Sequence, residues 1–287
     1  MSLEPLAGRV YGPLSLRLSQ TKVGEFVHAT GDDPGRWVET APPSYAGALL
    51  FSVAPVFIGD PDVGEHTRVL VHTDQLFRWH GPLHLGVDVE VTGTVARVRV
   101  RGGLNFVTFD VSVATAGGDP LLDSTSTFLM GATPAAEPNP DVGEPPVTAG
   151  STVDRPPQSP QIAAGAALAP FVRSASRLDL VRYAAASGDF NPIHFDHEAA
   201  REAGLDGIVV HGLLMTSWLC QAAATVSSVG APLAEMKLRF RNALRPAAAA
   251  EVTGTVESAT NQICDMSQRI SSEGADLVTA KTVVRLA

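Results

Sequence analysis

The chain has 287 residues, 45% of them hydrophobic and 18% charged, with a formal net charge of −9. This is ordinary globular composition, long enough for one large domain or two modest ones. The acidic balance excludes nucleic acid as a general partner, because phosphate backbones are bound by basic surface, and any anionic ligand must find a local cluster of cations.

The first residues, Met1 to Gly8, lack a basic start followed by an apolar core, so no secretory signal is visible. Ala29-Thr-Gly-Asp-Asp-Pro34 reads as a helix end and turn, and a helix is predicted over Ser44–Val53, just after Pro42-Pro43. Val87, Val89, Val91 and Val95 share one strand face, while Asp88, Glu90, Thr92 and Thr94 share the other. The phase slips before Val98 and Val100, which predicts a bulge near Ala96-Arg97. After a turn at Gly102-Gly103, Val107, Phe109, Val111 and Val113 alternate again.

From Gly131 to Pro160 the chain carries prolines at 134, 138, 140, 145, 146, 156, 157 and 160, which predicts an extended connector and no helix. Then comes Tyr183-Ala-Ala-Ala-Ser-Gly-Asp-Phe-Asn-Pro-Ile-His194. Pro192 fixes its own φ and biases Asn191 away from helix, so the chain must turn between Asp189 and His194. An acid and an imidazole held side by side on such a loop can move protons to and from one water or substrate carbon. Read without function, the same run is a helix stop followed by a turn.

Gly212 to Val229 is uncharged but carries Thr216, Ser217, Gln221, Thr225, Ser227 and Ser228. That is too polar for a lipid-facing span and suits a helix buried in protein, so no membrane partner is expected. Lys237, Arg239 and Arg241 alternate with Met236, Leu238 and Phe240, placing three cations on one strand face. They read equally as a charged edge that discourages aggregation or as a site for a ligand's phosphates. Weaker strand patterns follow at Glu251 to Val256 and Leu277 to Val284. Cys220 and Cys264 form no disulfide framework, which points to a reduced, cytoplasmic protein.

The chain is one unit written twice. Glu90-Val-Thr-Gly-Thr-Val95 recurs letter for letter at Glu251 to Val256, and the turn at Asp32 echoes the turn at Asp189. The boundaries drawn are residues 1–133, a Pro-rich linker 134–160, and 161–287, each unit an α+β arrangement. His194 has no counterpart after Asp32, where Arg36 or Trp37 takes its place. Asp32 therefore reads as a turn residue, and the first unit as non-catalytic.

The run from Tyr183 through Ser187, Gly188, Asp189, Asn191, Pro192, Ile193 and His194 to Ala200 resembles the signature of the MaoC-like, or (R)-specific enoyl-CoA, hydratases. Ala186 is its one departure, and the resemblance continues through Ile208-Val-Val-His211-Gly212-Leu-Leu-Met215. Val71-His-Thr-Asp-Gln-Leu-Phe77 and Pro82-Leu-His-Leu-Gly86 look like the N-terminal dehydratase module of the same superfamily. The resemblance implies a double hot-dog fold, two tandem units whose antiparallel sheet wraps central helices. It leaves a homodimer of such chains open as a further assembly.

It also implies interconversion of trans-2-enoyl and (3R)-hydroxyacyl thioesters of coenzyme A or acyl carrier protein, with no metal and no cofactor. Asp189 and His194 would be the acid–base pair, in an order left open, and the Gly212 amide at a helix start would steady the thioester oxygen. Asn191, His211, Lys237, Arg239 and Arg241 are the candidate substrate-binding residues. His211 finds no Cys or carboxylate at metal-ligand spacing and reads as a helix-start histidine bonded to backbone. By analogy with double hot-dog relatives, the first unit would bend its helix to widen an acyl tunnel. A hot-dog thioesterase and a non-catalytic acyl-thioester binder are the competing readings.

Overall fold

The structure is a computed structural model and describes residues 2–134, 137–147, 152–157 and 162–286. In the first half, strand β1 (Val10–Arg17) and helix α1 (Gln20–Thr30) precede helix α2 (Ala46–Ile58) and strands β2 (Val69–Trp79), β3 (Asp88–Arg101), β4 (Leu104–Thr115) and β5 (Pro120–Gly131). The short β6 (Thr152–Val153) lies between the halves. The second half runs β7 (Phe171–Ser174), α3 (Arg177–Ser187), α4 (His197–Glu202), α5 (Gly212–Ala224), β8 (Leu233–Phe240), β9 (Ala250–Ala259), β10 (Ile263–Ser272) and β11 (Ala275–Arg285).

All the strands join one antiparallel sheet in the order β1-β3-β4-β5-β2-β8-β11-β10-β9-β7-β6. The order within one half mirrors that within the other, and β2 pairs with its counterpart β8 across the seam. The repeated hexapeptide lies in β3 and in β9, at equivalent places. Both copies run beside the edge of their half, so the duplication seen in the sequence is a duplication of topology. This is the double hot-dog fold.

Inward-facing residues alternate along each strand, and the apolar helices α2 and α5 fill the space the sheet encloses. Val89, Val91 and Val95 are buried, the register slips between Val95 and Arg97 at the predicted bulge, and Val98 then turns inward. Val100, past the end of the core, is exposed. Every residue of α5 after Gly212 is buried. The predicted helix over 212–229 stops at Ala224 because Thr225, Val226 and Ser227 are poor helix formers. Arg36 fixes that end by donating to the carbonyls of Ala224 (2.7 Å) and Ser227 (2.9 Å). Helix α2 runs beyond the predicted Val53 through Pro55 to Ile58. Pro55 lies near its last turn and removes a single hydrogen bond, the one that Phe51 O would accept.

The first half's interior is packed by Tyr11, Phe57, Phe109 and Phe128, with Phe57 and Phe109 stacked at 5.1 Å. Among the described residues, no helix is long and apolar enough to cross a membrane.

Candidate functional site

The site is built where α3 ends. Ser176 opens that helix with a reciprocal capping box to Asp179, and Gly188 closes it at φ +81°. A Cβ on Gly188 would sit 3.2 Å from Phe51 O, the carbonyl that Pro55 leaves without its helical donor. The backbone can therefore lie directly against α2. Gly188→Ala is expected to destabilise the protein by about 1–2 kcal/mol, the cost of a left-handed L-residue, read as a shift in the urea midpoint with unchanged slope.

Past Gly188 the loop is held by its own polar side chains. Ser187 Oγ accepts from the Asp189 amide at 3.2 Å, and Asp189 Oδ1 accepts from the Asn191 amide at 3.4 Å. Asn191 Nδ2 donates to Leu70 O on β2 at 3.2 Å, tying the loop to the other half of the chain. A 3-10 turn over Pro192–His194 then presents the imidazole. His194 Nδ1 donates to Val209 O at 2.8 Å, which leaves Nε2 as the lone-pair nitrogen. His211 stacks behind it, with ring centroids 3.7 Å apart, and its Nε2 donates to Asp189 O at 3.2 Å.

Asp189 and His194 line one cavity of about 340 Å³ together with Asn191, Gly212 and Arg241. That is at the small end of the roughly 300–1,000 Å³ usual for small-molecule sites. The two are 6% and 7% exposed. Desolvation pushes the Asp189 carboxyl up to about 7, partly opposed by the Asn191 amide, and pushes His194 down to about 4. Burial also drives His211 well below the usual histidine value, helped by its neighbour His194. Between about pH 4 and pH 7 the pair therefore holds its proton on the carboxyl and a lone pair on the imidazole. Gly212 opens α5, whose first amides have no acceptor within the helix. A Cβ there would meet the Phe240 ring at 2.9 Å.

The other candidates are dispersed. His211 is fully buried behind the pair and holds the Asp189 backbone instead of facing the cavity. Lys237 and Arg239 point from the outer face of the sheet into a separate groove, and Arg241 borders both that groove and the cavity. Arg239 lies 3.7 Å from Asp74, and Arg241 donates to Thr279 Oγ1. Spacing in the sequence shows no carboxylate partner for His211, yet the fold brings one. Donor atoms of Asp189, His194 and His211 lie within 4.8 Å of one another, a group that could hold a metal ion. Cys220 packs against Met236 with its thiol held protonated by burial.

The corresponding place in the first half is filled by structural groups. Asp32 accepts from the Asp33 amide at 2.7 Å as a turn residue. Buried Arg173 donates to Gly31 O and Gln221 Oε1, while Arg36 caps α5. Sequence reasoning missed His72, Phe128 and Phe51, part of the first half's contribution to the cavity wall. The detectable signal for His72 was its place in the run Val71 to Phe77, which resembles the N-terminal dehydratase module.

Comparison with known proteins matches residues 149–280 to the MaoC like domain and residues 6–124 to the FAS1-like, dehydratase domain region. A UPF0336 protein of Cutibacterium acnes is 34% identical over 114 residues, 39% of this chain and 77% of that protein. The mitochondrial 3-hydroxyacyl-[acyl-carrier-protein] dehydratase of Arabidopsis thaliana is 39% identical over 64 residues, 22% of this chain and 38% of the plant protein. Among solved structures, a MaoC-like dehydratase superposes with TM-score 0.82 at 20% identity, covering 100% of both chains. A Mycobacterium tuberculosis protein described as a double hot-dog fold gives TM-score 0.67 at 13% identity, over 97% of this chain and 96% of its own.

Proposed function

We propose, on the premise that this chain belongs to the MaoC-like dehydratases of double hot-dog fold, that it adds water to trans-2-enoyl thioesters to give (3R)-hydroxyacyl thioesters, or catalyses the reverse. The observation that carries the reading is the convergence of Asp189 and His194 on one cavity that begins at the amino end of α5. The substrate is a thioester of coenzyme A or an acyl carrier protein, and the chemistry calls on no redox cofactor.

In the hydration direction, His194 Nε2 takes a proton from water as the water oxygen bonds to C3. The Asp189 carboxyl delivers its proton to C2, and the π electrons of the C2–C3 bond form the new C–H bond. Charge building on the thioester oxygen is met by the Gly212 amide and the positive end of α5. The pair then carries a carboxylate and an imidazolium, and a proton returns from one to the other. Dehydration starts from that second arrangement. Both directions need one proton shared by the two groups.

The pH dependence follows from that count. A profile of kcat/KM should be bell-shaped, losing activity as pH falls through about 4 and as it rises through about 7. A flat profile from pH 5 to 9 would contradict the assignment. The direct assay is loss of the conjugated enoyl absorbance when purified protein meets crotonyl-CoA. A thioesterase would instead release free thiol without hydration. The absence of Asp and Glu from α5 disfavours it, since hot-dog thioesterases usually place their carboxylate on that helix.

A further inference from the structure

The half of the chain without the acid–base pair supplies one wall of the cavity, and that wall contains a histidine with no part in the chemistry above. Along β2 the register against β5 slips at Thr73: His72 faces Phe128, and Asp74 faces Thr127. A bulge re-aims the side chains around it. Here it puts His72 and Gln75 on the same inner face and leaves Asp74 outside, opposite Arg239. His72 thus sits mid-row across three strands, 4.9 Å from Phe128 on β5 and 5.0 Å from Phe240 on β8, centroid to centroid. Phe240 is the ring packed on Gly212.

The bulge also marks where the seam ends. Among the described residues, β2 pairs with β8 from Arg78–Glu235 to Asp74–Arg239. Beyond that point Leu70, Val71, His72 and Thr73 on one side, and Phe240 to Ala243 on the other, line the cavity. Arg241, Asn242 and Ala243 are exposed, so the cavity reaches solvent where the two strands part. His72 stands beside that mouth.

A thioester on a phosphopantetheine arm must thread this opening, with the arm's secondary amides a few bonds behind the sulfur. His72 is neutral at pH 7, because desolvation takes it down to about 4, and so offers one N–H and one lone pair. An amide offers the complementary carbonyl and N–H. The rings beside His72 in the row are apolar, the Gln75 side chain and the Asp74 backbone approach the imidazole along its own strand, and its buried Nε2 makes no direct hydrogen bond in the protein. An unmet nitrogen of this kind calls for a partner from outside.

We infer that His72 is a substrate-binding residue that hydrogen-bonds a secondary amide of the pantetheine arm. This rests on the thioester reading above and gives the first half a direct part in recognition.

The test uses crotonyl thioesters of ethanethiol, N-acetylcysteamine and pantetheine, which carry no, one and two amides. The expected result is that His72→Phe lowers the ratio of kcat/KM for the pantetheine ester over the ethanethiol ester by roughly tenfold. The loss should fall in KM, and His72→Gln, which keeps a donor and an acceptor, should restore most of it. Calorimetric binding of unreactive butyryl-pantetheine should weaken in parallel. An unchanged ratio in His72→Phe, with undiminished butyryl-pantetheine binding, overturns the inference. So does an equal loss on all three esters, which would place the contact on the acyl side or in packing. If wild-type protein neither binds nor turns over any thioester, the hydratase reading falls first and this one with it.

Discussion

Asp189→Asn and His194→Ala should each lower turnover of an enoyl thioester on the order of 10²–10⁴-fold, the usual contribution of one positioned acid or base. Asp189→Asn keeps the shape of the side chain and the acceptor for the Asn191 amide, so it removes little besides the transferable proton. His194→Ala removes the lone-pair nitrogen and leaves Val209 O without its ring donor. Because the two groups share one proton, the double variant should be little worse than the worse single one. Circular dichroism should show both singles folded. Full activity in either would remove the pair from the mechanism.

The same Asp189→Asn change should make the protein more stable at pH 8. A carboxyl moved from 3.8 to about 7 binds its proton more tightly in the folded chain than in the unfolded one. The stability this lends is complete below about pH 4 and is lost as pH rises through about 7. Above that, folding must hold a buried carboxylate, at a cost on the order of 4 kcal/mol. The amide has no such charge. Urea denaturation should therefore give the Asp189→Asn variant a higher midpoint than wild type at pH 8, by several tenths molar or more, with the difference closing toward pH 4. A wild type at least as stable as the variant at pH 8 would mean that Asp189 is not desolvated as described. The trade is common at active sites, where a group costly to the fold is retained for its chemistry.

Much of this molecule was legible in its residues. The alternation in β3, its bulge beside Arg97 and the repeated hexapeptide carried the strand pattern and the duplication. Such features depend on local sterics and period. Helix ends were less legible. The helix predicted to end at Val53 runs on to Ile58, and the hydroxyl-rich stretch after Ala224 looked helical by its lack of charge. The cations at 237 and 239 were correctly placed on one strand face, but parity cannot say which face meets a cavity. His211 was legible as a helix-start residue bonded to backbone. That its ring would lie behind His194 was not, since the contact needs the Val209–Gly212 segment folded back against the loop.

What the sequence by itself determined is the turn that holds an acid five residues from an imidazole, because Gly188, Asn191 and Pro192 constrain their own backbone whatever surrounds them. What only the tertiary structure decided is which of the two holds the proton, and what else they face. Both depend on exclusion of water by Phe51, Leu70, His72 and Phe240, side chains far from the loop in sequence that α2, β2 and β8 bring to the wall of its cavity. Desolvation is a property of the assembled surroundings, and no spacing of residues along a chain encodes it.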